Sequence, residues 1–102
     1  MMKIKAIVFG KKNCSYCDNR KEVLKKFPAV FKKRTGKELE IELEYHDIKT
    51  VDGLVALCKE ERTNADIPIV ILEDPKGETL GIWPGAKATL SSRELLDVLQ
   101  PS

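Results

Sequence analysis

Hydrophobic and polar residues follow one another along the chain with periods that change several times, and each change predicts a new secondary-structure element. Residues 4–9 form an almost continuous apolar run, which is typical of a strand buried on both faces. The apolar residues that follow recur at helical spacing from Ser15 until Gly36 stops the pattern. Pro28 falls inside this pattern, so we expect either one kinked helix or two shorter helices.

The middle of the chain predicts a strand followed by a helix. Residues 38–45 alternate between glutamate and apolar side chains, a period of two that indicates a half-buried strand with an acidic outer face. Charges on the outer face of an edge strand discourage aggregation, so we interpret these carboxylates as solvated rather than as a metal site. His46 continues the outward series, and we expect it to be solvated or locally hydrogen-bonded. A helix follows from about residue 50 to residue 62, with Cys58 on its apolar face as a small core residue.

The last third of the chain predicts a β-hairpin and a terminal helix. Residues 67–72 are a second continuous apolar run, and a turn containing Pro and Gly separates them from a partner strand at 79–83. Ser91 and Glu94 have the spacing of a capping box at the start of a helix. The order is therefore β-α-β-α-β-β-α, with the first two strands parallel and the last two antiparallel. We predict one domain over residues 1–102, a three-layer α/β/α sandwich with a mixed four-stranded sheet and three or four helices.

Composition and charge fit a soluble globular protein. The chain has 102 residues, of which 42% are hydrophobic and 33% charged, and its formal net charge is +2. A charge so close to neutral gives no reason to expect binding to nucleic acid or to a membrane surface. The N-terminal apolar run is too short for a signal peptide or a bilayer span. Three cysteines, an odd number, do not make the disulfide framework of a secreted domain. We therefore expect a cytoplasmic monomer.

The spacing of Cys14 and Cys17 is the feature of the sequence that carries chemistry. The two cysteines are separated by two residues at the predicted strand-to-helix junction, directly after Lys11, Lys12 and an asparagine. Free N–H groups at a helix start and nearby cations lower the pKa of a cysteine thiol from about 8.5 to about 3.5–7.5. A C-x-x-C beside a β-α-β pattern in an intracellular chain is typical of thiol–disulfide exchange. A structural zinc site would need a second pair of ligands.

Exchange chemistry gives the two cysteines different roles. Cys14 would attack a substrate disulfide and form a mixed disulfide with it. Cys17, one turn into the helix and more buried, would then resolve this intermediate and leave a Cys14–Cys17 disulfide. We expect Tyr16, between the two cysteines, to shield the pair and to shape the substrate groove.

The element order and two motifs resemble the thioredoxin superfamily, and within it the glutaredoxins. The motifs are Gly10-Lys11-Lys12-Asn13-Cys14-Ser15-Tyr16-Cys17 after one buried strand and Asp66-Ile67-Pro68 at the opening of another. The resemblance implies a cis peptide bond before Pro68, opposite the cysteine pair, and backbone groups of Ile67 that pair with an extended thiol substrate. It also implies that Lys11 meets a substrate carboxylate. Glutathione would be the reductant, and no cofactor would be tightly bound.

Three positions depart from the glutaredoxin pattern and leave the partner open. Ser15 replaces the usual proline, Asp66 begins a motif that is often Thr-Val-Pro, and Trp83-Pro84-Gly85 stands where a glutathione-binding Gly-Gly is expected. Trp-x-Gly instead resembles the redoxins that donate electrons to ribonucleotide reductase and are recharged by thioredoxin reductase. Some glutaredoxins with Cys-Ser-Tyr-Cys hold an iron–sulfur cluster with glutathione. The implied partners are glutathione and disulfide-containing proteins, or thioredoxin reductase. Trp83 either lines the groove or packs at the strand end.

Overall fold

The structure is a computed structural model that describes residues 2–59, 67–85 and 90–99, without the side chains of Leu54 and residues 57–59. Within these residues the elements are β1 (Met2–Gly10), α1 (Ser15–Thr35), β2 (Leu39–Asp47), α2 (Val51–Lys59), β3 (Ile69–Glu73), β4 (Thr79–Pro84) and α3 (Ser92–Leu99). This is the predicted β-α-β-α-β-β-α order.

Some sequence predictions fall outside the described residues. These are the packing of the Cys58 side chain, the end of the second helix near residue 62, and any role of Asp66. In the part of the chain that is described, no helix combines the length and the apolar character needed to cross a bilayer.

The four described strands form one mixed sheet in the order β2-β1-β3-β4. β1 runs parallel to β2 and antiparallel to β3, and β4 pairs antiparallel with β3. The parallel pair is joined through α1 and the antiparallel pair through a tight turn, as these two kinds of connection require. β2 lies at an edge of the sheet, where its alternating pattern predicted it.

Helices cover both faces of the sheet, so the predicted three-layer α/β/α sandwich is confirmed. On one face α1 and α3 pack on the sheet in a buried cluster that includes Val8, Phe27 and Leu95. On the other face Ala56 of α2 packs against a smaller cluster that includes Phe9. Successive residues of β1 thus enter the two clusters in turn. This is why the strand reads as a continuous apolar run.

α1 is one helix that passes through Pro28, so the alternative of two shorter helices is wrong. A proline inside a helix removes one hydrogen bond and costs about 3 kcal/mol. The buried residues Leu24, Phe27 and Phe31 lie on both sides of this position and pack on the same sheet face. Since each such side chain stabilises by about 1.5–3 kcal/mol when buried, the continuous apolar face outweighs the proline. The helix ends at Gly36, whose φ of 75° suits glycine.

Two predicted strand boundaries need correction. β3 begins at Ile69 rather than Ile67, and the preceding Pro68 has no N–H to donate to the sheet. The first strand extends beyond the predicted run of residues 4–9, since Gly10 is the last residue of β1 and pairs with Asp47. The loop that leads to α1 begins directly after it.

The C-terminal packing agrees with the sequence. The N–H of Glu94 donates to Ser91 Oγ at 3.3 Å, so Ser91 caps α3 as predicted. Trp83 is 7% exposed and belongs to the core on the α1 and α3 face. Of the two alternatives for this tryptophan, packing at the strand end is therefore the one observed.

The outward face of β2 is tied to β1 by charged contacts. Lys5 Nζ lies 3.5 Å from a carboxylate oxygen of Glu44. His46 Nε2 lies 3.1 Å from the other oxygen of Glu44, and the imidazole stacks on Phe9 with ring centroids 5.3 Å apart. The histidine is locally hydrogen-bonded, as expected, and a lysine of the neighbouring strand partly neutralises this acidic face.

We expect the contribution of Glu44 to stability to depend on pH. The hydrogen bond from His46 lowers the pKa of Glu44 from 4.5, Lys5 also lowers it, and burial opposes both. A carboxylate with a lowered folded pKa stabilises the protein above its unfolded pKa, and this stabilisation is lost as the pH falls through the folded value. Glu44→Gln should therefore reduce the free energy of unfolding by roughly 0.5 kcal/mol at neutral pH, and by less near pH 3.

Urea denaturation at the two pH values measures this difference. The matched control is Glu42→Gln, an exposed glutamate of the same strand, which should change stability little at either pH. An equal effect of Glu44→Gln at both pH values would show that the carboxylate charge is not responsible.

Candidate active site

The loop between β1 and α1 places both cysteines at one end of the sheet. Cys14 is the N-terminal cap of α1, with extended backbone angles of φ −109° and ψ 108°, and Cys17 lies in the first turn. A disulfide bond joins them, with the Cα atoms 5.2 Å apart. Asn13, just before the cap, has a φ of 59°, a left-handed conformation that asparagine adopts more readily than most residues. This residue turns the chain from the strand into the helix.

The sulfur of Cys14 lies over the start of the helix. The backbone N–H of Cys17 donates to Cys14 Sγ at 3.1 Å. The N–H of Asp18 donates to the carbonyl oxygen of Cys14, also at 3.1 Å. A helix N-terminus carries partial positive charge, and its N–H groups bind an anion more strongly than a neutral group. In the reduced protein this arrangement makes the thiolate form more favourable for Cys14 than for a free cysteine in solution.

The two cysteines differ in their access to solvent. Cys14 is partly exposed, whereas Cys17 is 0% exposed. An external thiol or disulfide can therefore approach Cys14 directly, while Cys17 is reached only through its partner. This difference follows from their positions, because the cap residue stands at the helix end and the first-turn residue faces the sheet.

Cys17 packs against the last residue of β1. A Cβ atom on Gly10 would lie 2.8 Å from Cys17 Sγ and 3.2 Å from Tyr45 Cε2, so a side chain there would displace one of them. The carbonyl oxygen of Gly10 accepts the N–H of Ile48 at 2.9 Å, which holds the glycine in place. Gly10, Cys17 and Tyr45 thus form one tightly packed unit.

Sequence reasoning did not assign Gly10 or Tyr45 to the site. Tyr45 reads as one of the inner residues of an alternating strand, and glycine at a strand end reads as a break. The strand register, with Val8 opposite Tyr45, is what brings the tyrosine to the cysteine end of the sheet. A glycine directly before a C-x-x-C loop was the one available signal, since a close approach of neighbouring atoms favours glycine.

Lys21 holds a positive charge over the Tyr45 ring. Its Nζ lies 4.4 Å from the ring centroid and 3.6 Å from a carboxylate oxygen of Asp18. Burial raises the pKa of the Tyr45 phenol, and the carboxylates of Asp47 and Asp18 raise it further. The ring is therefore uncharged at neutral pH and presents its π face to the ammonium group.

Ile67 and Pro68 lie at the same end of the sheet as the cysteine loop. Their peptide bond is cis, as the family resemblance implied. In the antiparallel pairing of β1 with β3, Phe9 is opposite Ile69, so the start of β3 lies beside the end of β1. Pro68 is buried, and its carbonyl oxygen accepts the N–H of Gly85 at 2.8 Å. The proline is thereby attached to the end of β4, while Ile67 is partly exposed.

Lys11, which precedes the two cysteines, and Tyr16, which lies between them, are both exposed. The tyrosine side chain is 57% exposed, which leaves its ring available to a partner. A carboxylate contact of Lys11 and a shielding role of Tyr16 stay predictions. Among the described residues, no group of three or more His, Cys, Asp or Glu is placed to hold a metal ion.

We expect Gly10→Ala to disturb the cysteine pair. The new methyl group would displace Cys17 Sγ or Tyr45, and overpacking of this kind destabilises by roughly 1–3 kcal/mol. Urea denaturation of the oxidised protein measures the effect. In a Cys17→Ala background, where the sulfur is missing, the same substitution should destabilise less. An equal loss of stability in both backgrounds would mean that the contact with Cys17 does not require glycine.

Comparison with solved structures finds the same architecture in thioredoxin-fold proteins. Mitochondrial thioredoxin 3 from Saccharomyces cerevisiae aligns with a TM-score of 0.58 and 17% identity, over 90% of this chain and 72% of that chain. Thioredoxin-2, described as a component of malaria parasite protein secretion machinery, aligns with a TM-score of 0.62 and 18% identity, over 99% of this chain and 84% of that chain. A DsbH oxidoreductase aligns with a TM-score of 0.60 and 14% identity, over 99% of this chain and 75% of that chain.

Sequence comparison adds no relative to these. No protein-family model matches the chain, and no curated protein matches it. Because the structural matches have low sequence identity, they show a shared fold and nothing further. The protein thus has the thioredoxin fold, with a Cys14–Cys17 disulfide at the N-terminus of its first helix.

Proposed function

We propose that the protein is a thiol–disulfide oxidoreductase whose redox centre is the Cys14–Cys17 pair. The observation that carries the proposal is the asymmetry of this disulfide. Cys14 is partly exposed and its sulfur accepts a helix N–H, whereas Cys17 is buried against a glycine. Exchange chemistry needs this difference, because the attacking cysteine must meet a substrate and the resolving cysteine must not. Thioredoxins and an oxidoreductase among the structural matches support the same reading.

The proposed reaction transfers two electrons from the protein dithiol to a substrate disulfide. The Cys14 thiolate attacks one substrate sulfur, the substrate S–S bond breaks, and the first substrate thiolate leaves. Cys17 then loses its proton and attacks Cys14 Sγ. The Cys14–Cys17 bond forms as the bond to the substrate breaks, and the second substrate thiolate leaves. The products are two substrate thiols, once protonated, and the oxidised protein.

The substrate side of the site would use the residues around the exposed sulfur. The partly exposed Ile67 lies two residues before β3, where its backbone would pair with an extended substrate segment. Lys11 would meet a substrate carboxylate, and the exposed Tyr16 ring would form a wall of the groove. Pro68, buried and attached to β4, would hold Ile67 in position.

We propose glutathione as the reductant, and glutathione-mixed or protein disulfides as substrates. Two features support this choice: the Cys-Ser-Tyr-Cys motif, which is similar to that of the glutaredoxins, and the exposed cation Lys11 beside it, since glutathione carries two carboxylates. Thioredoxin reductase is the competing reductant, because the structural matches include thioredoxins and Trp83-Pro84-Gly85 departs from the glutathione-binding pattern.

We expect the two cysteines to respond differently to substitution. Cys14→Ser should lower the rate of reduction of a small mixed disulfide by at least roughly a hundredfold, because the attacking thiolate is lost. Cys17→Ser should accumulate a mixed disulfide with substrate, or retain only glutathione-dependent turnover. The control is Cys58→Ala, which removes the third cysteine of the chain and should leave the exchange rate close to that of the wild type.

Turnover and intact mass measure both outcomes. The same assay, run with glutathione and glutathione reductase in one arm and thioredoxin reductase in the other, identifies the reductant. We expect faster turnover in the glutathione arm. Turnover with thioredoxin reductase only would contradict glutathione as the reductant, but not the proposed redox centre. Full activity of Cys14→Ser would contradict the proposed redox centre.

A further inference from the structure

We propose that Lys21 and Tyr45 are positioning residues for the resolving step, in which the Lys21 ammonium, held against the Tyr45 ring, favours the thiolate of Cys17. The proposal rests on the exchange function proposed above, and it adds to that function two residues that lie outside the C-x-x-C motif.

Cys17 has an unfavourable position for losing a proton. It is 0% exposed, and burial penalises the charged form of any thiol. Its own backbone N–H is directed to Cys14 Sγ, so it does not stabilise charge on Cys17 itself. A cation close to the buried sulfur would offset this penalty, and the cation has to come from outside the motif.

The packing around Gly10 brings Tyr45 to the Cys17 sulfur. Cys17 Sγ and Tyr45 Cε2 lie within 3.2 Å of the same point, the place that a side chain on Gly10 would occupy. The tyrosine ring, although 36% exposed, therefore lies beside Cys17 at the point where that residue packs on Gly10. Because the ring is neutral, it adds no negative charge beside the sulfur.

Lys21 lies close to this ring. It follows Cys17 by four residues in α1, so the two side chains leave the helix on the same side. Its Nζ lies 4.4 Å from the Tyr45 ring centroid. The Lys21 side chain is 30% exposed, while that of its partner Asp18 is 73% exposed. The cation is thus partly removed from water, whereas its counter-ion is mostly solvated.

Other charged groups near Cys17 come from the same elements. Among the described residues, those that are charged or titratable and either neighbour Cys17 in the sequence or interact with Lys21 and Tyr45 are Asp18, Arg20 and Lys21 of α1, Tyr45 and Asp47 of β2, and Lys11 and Lys12 of the preceding loop. Arg20 is buried and donates through Nη1 to Asn19 Oδ1 at 2.9 Å. Asp18 opposes Lys21 directly, at 3.6 Å, so its removal should have the opposite effect to removal of Lys21.

Single-turnover reaction of the reduced protein with the aromatic disulfide dithiobis(nitrobenzoate) separates the two steps. Attack by Cys14 releases the first coloured thiolate, and attack by Cys17 on the mixed disulfide releases the second. The rate of the second release, followed from about pH 5 to about pH 9, reports deprotonation of Cys17. Cys14 governs the first release and serves as an internal reference.

Lys21→Gln should move the midpoint of the second release upward by about 0.5–1 pH unit, and slow it about three- to tenfold below the midpoint. The first release should keep its rate. Lys21→Arg should restore the wild-type profile, and Asp18→Asn should move the midpoint downward. Tyr45→Phe, which keeps the ring, should behave like the wild type, whereas Tyr45→Leu should behave like Lys21→Gln.

The matched control is Lys26→Gln, an exposed lysine of the same helix that pairs with Glu22, and its profile should be unchanged. Lys21→Gln with an unshifted midpoint, or a slowing of both releases alike, would overturn the role of Lys21. A wild-type protein that gives no second release would instead overturn the exchange function, so the two failures are distinguishable.

Discussion

The contact of Cys17 with Gly10 fixes the start of α1 relative to the end of β1, and the geometry of the candidate site depends on it. The buried sulfur occupies the place that a side chain at position 10 would fill. With Cys17 held there, Cys14 stands three residues earlier as the helix cap, partly exposed and over the free N–H groups. One packing constraint thus produces both the accessible sulfur and the protected one.

The position of β1 inside the sheet gathers the other elements of the site. β1 lies between β2 and β3, so its C-terminal end is next to the end of a parallel strand and the start of an antiparallel one. The first of these supplies Tyr45, and the segment before the second supplies Ile67 and Pro68. Strand order and register therefore place residues that are far apart in the sequence at the same end of the sheet as the cysteine loop.

The sequence predicted the features that depend on local pattern. The sequence alone predicted the continuous apolar run of β1, the alternation of β2 and the Ser91 cap, since each follows from neighbouring residues. The sequence alone did not predict that α1 continues through Pro28, because this depends on how the apolar face of the helix packs. Tyr45 was missed because its position depends on the pairing of β1 with β2. The cis bond before Pro68 came from the family resemblance, which supplied what the residue pattern alone could not.

Reversible opening of the Cys14–Cys17 disulfide is the property on which the proposed function rests, and its reduction potential tests it most directly. The oxidised fraction can be measured after equilibration in glutathione buffers, by thiol alkylation and intact mass. We expect a single two-electron transition between roughly −270 and −120 mV, the range of proteins that exchange disulfides, and no such transition in Cys14→Ser. A potential below roughly −300 mV, which is typical of structural disulfides, would contradict the proposal.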